Sequence, residues 1–173
     1  PDALAAFRRM ESWLQDGYVH GALSPRGGNN TIEGTFKKNG RACDCHFYRA
    51  DVIKAEGLRF TDVTLRQDFH MTLSLLELGY PNVIDAEFMT GQSDGKPGGC
   101  QVYRTPEMLE EQAHLLASLH PGFVKVVEKE RKGGFGVSTD VRISWAKAYR
   151  SRESERKYTH GKDVGKYAIV GYP

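Results

Sequence analysis

The segment 65–88 leaves this chain few ways to fold. Met71, Leu73, Leu75, Leu76 and Leu78 make an apolar run too continuous for a surface helix, so a helix over 65–78 must be largely buried. Gly79 suits the residue just past a helix end, and Pro81 prevents continuation. Residues 82–88, N-V-I-D-A-E-F, then read as a strand. A buried helix feeding a strand points to layered α/β architecture.

The flanking sequence repeats that alternation. Asp2 can cap a helix to about residue 15, with Leu4, Phe7, Met10 and Leu14 on its buried face. Residues 18–23 and 40–48 read as strands, separated by a Pro-, Gly- and Asn-containing loop over 24–39. Residues 51–57 read as a short helix or turn. Thr105, Pro106 and Glu107 carry the signature of a helix start, and H-P-G stops that helix near residue 119. Residues 123–128 and 141–149 read as strands, with Ile143 and Trp145 on one face. The expectation is one α/β domain over 1–150, a mixed sheet flanked by helices, followed by a basic tail over 151–173.

Composition excludes some classes. A net charge of +2 does not force a nucleic-acid reading, although Arg150, Arg152, Arg156 and Lys157 make the end of the chain basic. No apolar run approaches the ~20 residues needed to span a bilayer, and no secretory signal is present, so no membrane partner and a cytoplasmic location are expected. The start at Pro1, without Met, reads as a truncated or processed product. Cys43 and Cys45 would share a face of a strand, with His46 beside them, but C-x-C is not the usual zinc spacing; buried free thiols are the expectation for the three cysteines.

Chemistry concentrates between residues 65 and 105. Asp68 falls in the first turn of the buried helix. There a carboxylate either complements the free N–H groups and the helix dipole or acts as a general base on a hydroxyl. His70 can serve as that base or orient Asp68, and Arg66 can pair with Asp68 or a phosphate. Gly98 and Gly99, in the Gly-rich loop over 91–99, allow close approach of backbone to a ligand. Tyr103 and Arg104 stand at a helix start, an arrangement suited to a diphosphate. Arg142 and Lys147 sit on the last expected strand, and His160 is a possible metal ligand in the tail. H-M-T at His70 is one half of the paired His-x-Thr motif of RNA 2′,3′-cyclic phosphoesterases; no second copy exists.

Four segments in order carry a further resemblance: D-F-H-M-T-L-S-L-L-E-L-G-Y-P-N-V-I, P-G-G-C-Q-V-Y-R-T, L-H-P-G-F-V-K-V-V-E-K and T-D-V-R-I-S-W-A-K-A-Y. Over roughly residues 7–149 the chain resembles the carboxy-terminal half of the TET/JBP-associated glycosyltransferases. The resemblance implies a GT-A-like fold, of which this is the acceptor half. It also implies transfer of a sugar from a nucleotide-sugar donor to a hydroxymethylated pyrimidine, such as 5-hydroxymethylcytosine, in bacteriophage DNA inside an infected bacterium. A divalent cation, Mn2+ or Mg2+, would assist. Asp68 matches the acidic pair heading the family's buried helix, here Gln67-Asp68, with His70 in place of a further acid. Gly98, Gly99, Tyr103 and Arg104 match the family's loop and helix start, and Arg142 and Lys147 its final basic segment. The family's D-x-D metal motif has no counterpart here. The alternative expectation is therefore a non-catalytic nucleic-acid- or protein-binding module of phage origin that keeps the fold.

Overall fold

The computed structural model describes residues 2–25, 32–91, 104–130 and 137–151. Its elements run α1 (Ala3–Gln15), β1 (His20–Pro25), β2 (Phe36–Lys38), β3 (His46–Tyr48), α2 (Ala50–Ala55), a 3-10 turn (Phe60–Asp62), α3 (Gln67–Glu77), β4 (Asn82–Thr90), α4 (Pro106–Leu119), β5 (Val124–Glu130), β6 (Val137–Ile143) and α5 (Trp145–Arg150). Four strands form a mixed sheet in the order β2-β4-β1-β3. In it β1 and β4 are parallel, while β2 and β3 run antiparallel at the edges. The other two strands make an antiparallel hairpin, β5-β6.

Helix boundaries follow the expected caps. Asp2 accepts from the Leu4 N–H, and Thr105 accepts from the Met108 N–H with Pro106 at the first helical position. Gly79 adopts φ 89° just beyond α3, the left-handed geometry expected after a helix end. Two sides of the sheet receive helices. Met10 and Trp13 of α1 pack with Leu23, Phe47 and Val83, while Val52 of α2 and Leu75 of α3 pack with Val19 and Tyr80. Glycine is required at Gly21, because a methyl group there would collide with the Phe47 ring and the Val83 carbonyl oxygen.

Four expectations are corrected. The α1 face is covered only in its second half: Met10 is buried but Leu4 and Phe7 are exposed. The 24–39 loop contains strand β2, because Phe36, Lys37 and Lys38 pair with Asp85, Ile84 and Val83. Residues 40–48 are strand only from His46. Asp44 takes φ 61°, which breaks the period-two alternation, so Cys43 is buried and Cys45 exposed rather than both on one face. Finally, the 141–149 strand ends at Ile143, and Trp145 and Lys147 belong to the short helix α5. Ala146 and Ala148 favour helix, and Ala148 fills a gap beside Leu73 and Leu76 of α3.

A buried histidine on β1 makes the core acid-sensitive. His20 is fully buried, with its Nε2 3.2 Å from the Tyr80 carbonyl oxygen, which only accepts. The ring therefore donates from Nε2, and burial, offset slightly by that bond, lowers its pKa from 6.5 to about 3. The unfolded chain takes up this proton near pH 6.5 and the folded chain only near 3. The stability it contributes is thus complete above 6.5 and is lost as pH falls, by roughly 1.4 kcal/mol per unit. Urea unfolding at pH 7 and pH 4 should show a loss about 3 kcal/mol smaller in His20→Gln, which keeps an N–H donor for Tyr80.

Candidate functional site

The first turn of α3 opens the site. Its N-cap residue, Arg66, takes the left-handed conformation (φ 64°) and supplies no side-chain cap. The guanidinium instead reaches away, donating to the Leu109 and Thr139 carbonyl oxygens and lying 3.7 Å from the Asp140 carboxylate. Arg66 thereby ties the helix start to α4 and β6.

Asp68 sits in the same turn, half-buried. Burial raises its pKa; His46, the Phe69 N–H and then Arg41 pull the other way. Its charge is felt in return by the buried Cys43 thiol and the Tyr48 hydroxyl. Burial chiefly, and Asp68 in addition, push both of these up. Asp68 is thus a carboxylate held among a histidine, an arginine, a thiol and a phenol. It is also a stronger base than an exposed aspartate, because its proton is held to higher pH.

Arg41 links this cluster to two adjoining cavities. Its guanidinium lies 4.9 Å over the Phe69 ring, and Trp145 meets the same ring edge-on at 5.5 Å. One cavity, of ≈ 620 Å3, is lined by Arg41, Phe69, Trp145 and the hairpin residues Lys129, Asp140 and Arg142, among others. The second, of ≈ 380 Å3, also has Arg41 and Trp145 in its wall. Its other charged lining residues are Lys37, Lys38, Lys147 and Arg150, with no carboxylate among its lining residues. The Lys38 ammonium turns to the α1 side, over the Tyr18 and Phe36 rings, which leaves four cations for the groove. Such a groove concentrates positive potential and suits a phosphate-bearing ligand.

The expected site residues are therefore distributed as follows. Arg142 and Lys147 line the two adjoining cavities, although Lys147 stands on a helix rather than a strand and donates to the Gly122 carbonyl oxygen. Arg104 is exposed just ahead of the α4 cap, and its charge reaches Arg66. His70 lies about 200° around the helix from Asp68, since each residue turns it by about 100°. Its ring meets His120 and Asp62. Gly98, Gly99, Tyr103 and His160 lie outside the described residues, as does the tail from residue 152. Arg41, His46 and Tyr48 were not anticipated at the site. The signal for them was the cluster F-K-K-N-G-R followed by C-H-F-Y, which puts three cations and two polar rings within thirteen residues.

No protein family, curated protein or solved structure matches the chain. No described helix is long and apolar enough to cross a membrane. Among the described residues no three His, Cys, Asp or Glu side chains converge as a metal site.

Proposed function

We propose that this chain is the acceptor-side part of a GT-A-like glycosyltransferase. It takes a sugar from a nucleotide-sugar donor and places it on a hydroxymethylated pyrimidine in DNA. The observation that carries the reading is the joining, through Arg41, of a half-buried carboxylate to a groove lined by cations. Asp68 supplies a base for the acceptor hydroxyl proton. Lys37, Arg41, Lys147 and Arg150 supply contacts for phosphates, which position a duplex without reading its sequence. Arg142 and Trp145 border the neighbouring cavity, where a base turned out of the stack finds an aromatic wall. The ordered resemblance of the four sequence segments supplies the reaction type. Tyr103 and Arg104 are assigned to the donor diphosphate on that resemblance, and Mn2+ or Mg2+ belongs to the proposal on the same ground.

The test, run on the full-length enzyme that the proposal implies, is transfer of label from a radiolabelled nucleotide sugar, with Mg2+ or Mn2+, to DNA containing 5-hydroxymethylcytosine. Incorporation into modified but not unmodified DNA is expected. Absence of incorporation by a protein that still unfolds cooperatively would overturn the assignment. The groove by itself favours a second reading, a binding module without turnover, which predicts DNA binding and no transfer.

Both readings make the same electrostatic prediction. Four neutralised phosphates correspond to a slope of log affinity against log salt of up to about −3.6. The Lys37→Ala/Lys147→Ala double variant should lower that slope by about two and weaken short duplexes of every sequence alike. Fluorescence anisotropy across a salt series checks this.

A further inference from the structure

On the far side of α3 from Asp68 lies a chain of four titratable groups, two buried histidines flanked by two part-exposed carboxylates. His70 Nδ1 is 2.9 Å from His120 Nε2, and His120 Nδ1 is 2.5 Å from Glu77 Oε1. His70 Nε2 faces Asp62 Oδ2 at 3.7 Å. Both rings are buried. The protons in this chain can be assigned by elimination. An ionised Glu77 only accepts, so His120 donates from Nδ1. Neutral His120 then has only a lone pair at Nε2, so His70 must donate from Nδ1. That leaves His70 Nε2 bare, and this atom is buried without a hydrogen-bond partner. The nearest charged group in front of it is the Asp62 carboxylate. A lone pair facing a carboxylate repels it, and a single added proton makes the contact attractive.

We infer that the His70–His120 pair is a one-proton latch: protonation at His70 Nε2 fastens Asp62, and the 3-10 turn that carries it, onto α3 and the end of α4. Every element packed around the pair contributes to its balance. Glu77 of α3 holds His120, the residue that ends α4. Arg59 binds Asp62 from the solvent side at 3.1 Å and competes with His70 for it. Burial first, and second the neighbouring His120 ring, which competes for the same single proton, hold the His70 pKa below 6.5, while Asp62 and Glu77 pull it up. The latch therefore engages below the ordinary histidine range rather than at neutral pH.

The turn also reaches the candidate site. Its Phe60 ring meets the Tyr48 ring edge-on at 5.4 Å, and Tyr48 is the phenol that senses the Asp68 charge. Fastening Asp62 thus fixes Phe60 against Tyr48, beside Asp68. This consequence rests on the proposed site; the latch itself does not, and its test needs no transfer assay.

The test is imidazole 15N NMR from pH 8 to pH 4, with aromatic signals of Phe60 followed in parallel. At pH 8 both rings should carry their proton on Nδ1. The pair should take up one proton with a midpoint below 6.5, and the Phe60 signals should move with that midpoint. Asp62→Asn should lower the midpoint further and uncouple Phe60. Arg59→Gln, which frees Asp62, should raise it. Both changes lie on exposed or half-exposed side chains, so the fold persists. An Nε2–H tautomer on either ring at pH 8, an unmoved Phe60, or a midpoint indifferent to Asp62→Asn would overturn the latch. So would loss of both histidine signals on adding stoichiometric Zn2+, which would make the pair a metal site instead.

Discussion

Asp85→Ala is expected to cost about 3–5 kcal/mol of folding stability. Asp85 lies on β4 with no exposed surface. One carboxylate oxygen accepts from Arg9 Nε and from Trp13 Nε1, each at 2.8 Å, and so binds helix α1 to the sheet. The other accepts from the Glu87 and Phe88 N–H groups at 2.9 and 3.2 Å. Those two N–H groups fall where β4 slips against β1: Leu23 pairs with Asp85, but Ser24 pairs with Met89. One side chain therefore closes a bulge and fixes a helix. Alanine leaves the buried indole N–H without its acceptor, and an unpaired buried donor carries its full desolvation cost. Glu87→Ala is the control. Glu87 meets the same arginine at 3.2 Å but is half-exposed, so less than about 1 kcal/mol is expected. Urea midpoints of the two variants check the contrast, and a similar small loss in both would show that Asp85 is not the anchor.

The contrast between Asp85 and Asp68 shows what the sequence makes legible. Asp68 was found because it stands at a helix start, where periodicity and capping rules locate acids. Asp85 sits in V-I-D-A-E and looks like an ordinary strand residue; its partners on α1 are more than seventy positions away. Local chemistry set the ends of α1, α3 and α4, because Asp2, Gly79, Thr105 and Pro106 act within a turn of themselves. It failed at Trp145-Ala-Lys147, where the spacing of aromatic and cation fits a strand as well as a short helix. Packing of Ala148 against Leu73 and Leu76 decided for helix. Arg41 and His46 were missed for another reason. Asn39 and Asp44 turn that segment through left-handed geometry, and neither strand nor helix period describes where its side chains go. The His70–His120 contact spans fifty positions and depends on how the end of α4 meets α3.

Asp68→Asn is expected to lower sugar transfer by about 10²–10⁴-fold, the range for loss of a general base, with duplex affinity unchanged. Asparagine preserves the shape of the side chain and an oxygen for the Phe69 N–H. It removes only the capacity to take a proton. The stability signature runs the opposite way and makes the test sharper. Burial raises the Asp68 pKa, so the unfolded chain ionises before the folded one, and stability is lost as pH rises through that window. At pH 7 the ionised carboxylate is therefore a net cost to the fold, and Asp68→Asn should leave the melting temperature equal or higher. An acid kept only to complement a helix start would behave otherwise, because its removal lowers stability and leaves turnover alone. Transfer rates and thermal melts on the same preparation separate the two. A rate within a few-fold of the parent, with a lowered melting temperature, would return Asp68 to the helix and leave the groove as a binding surface.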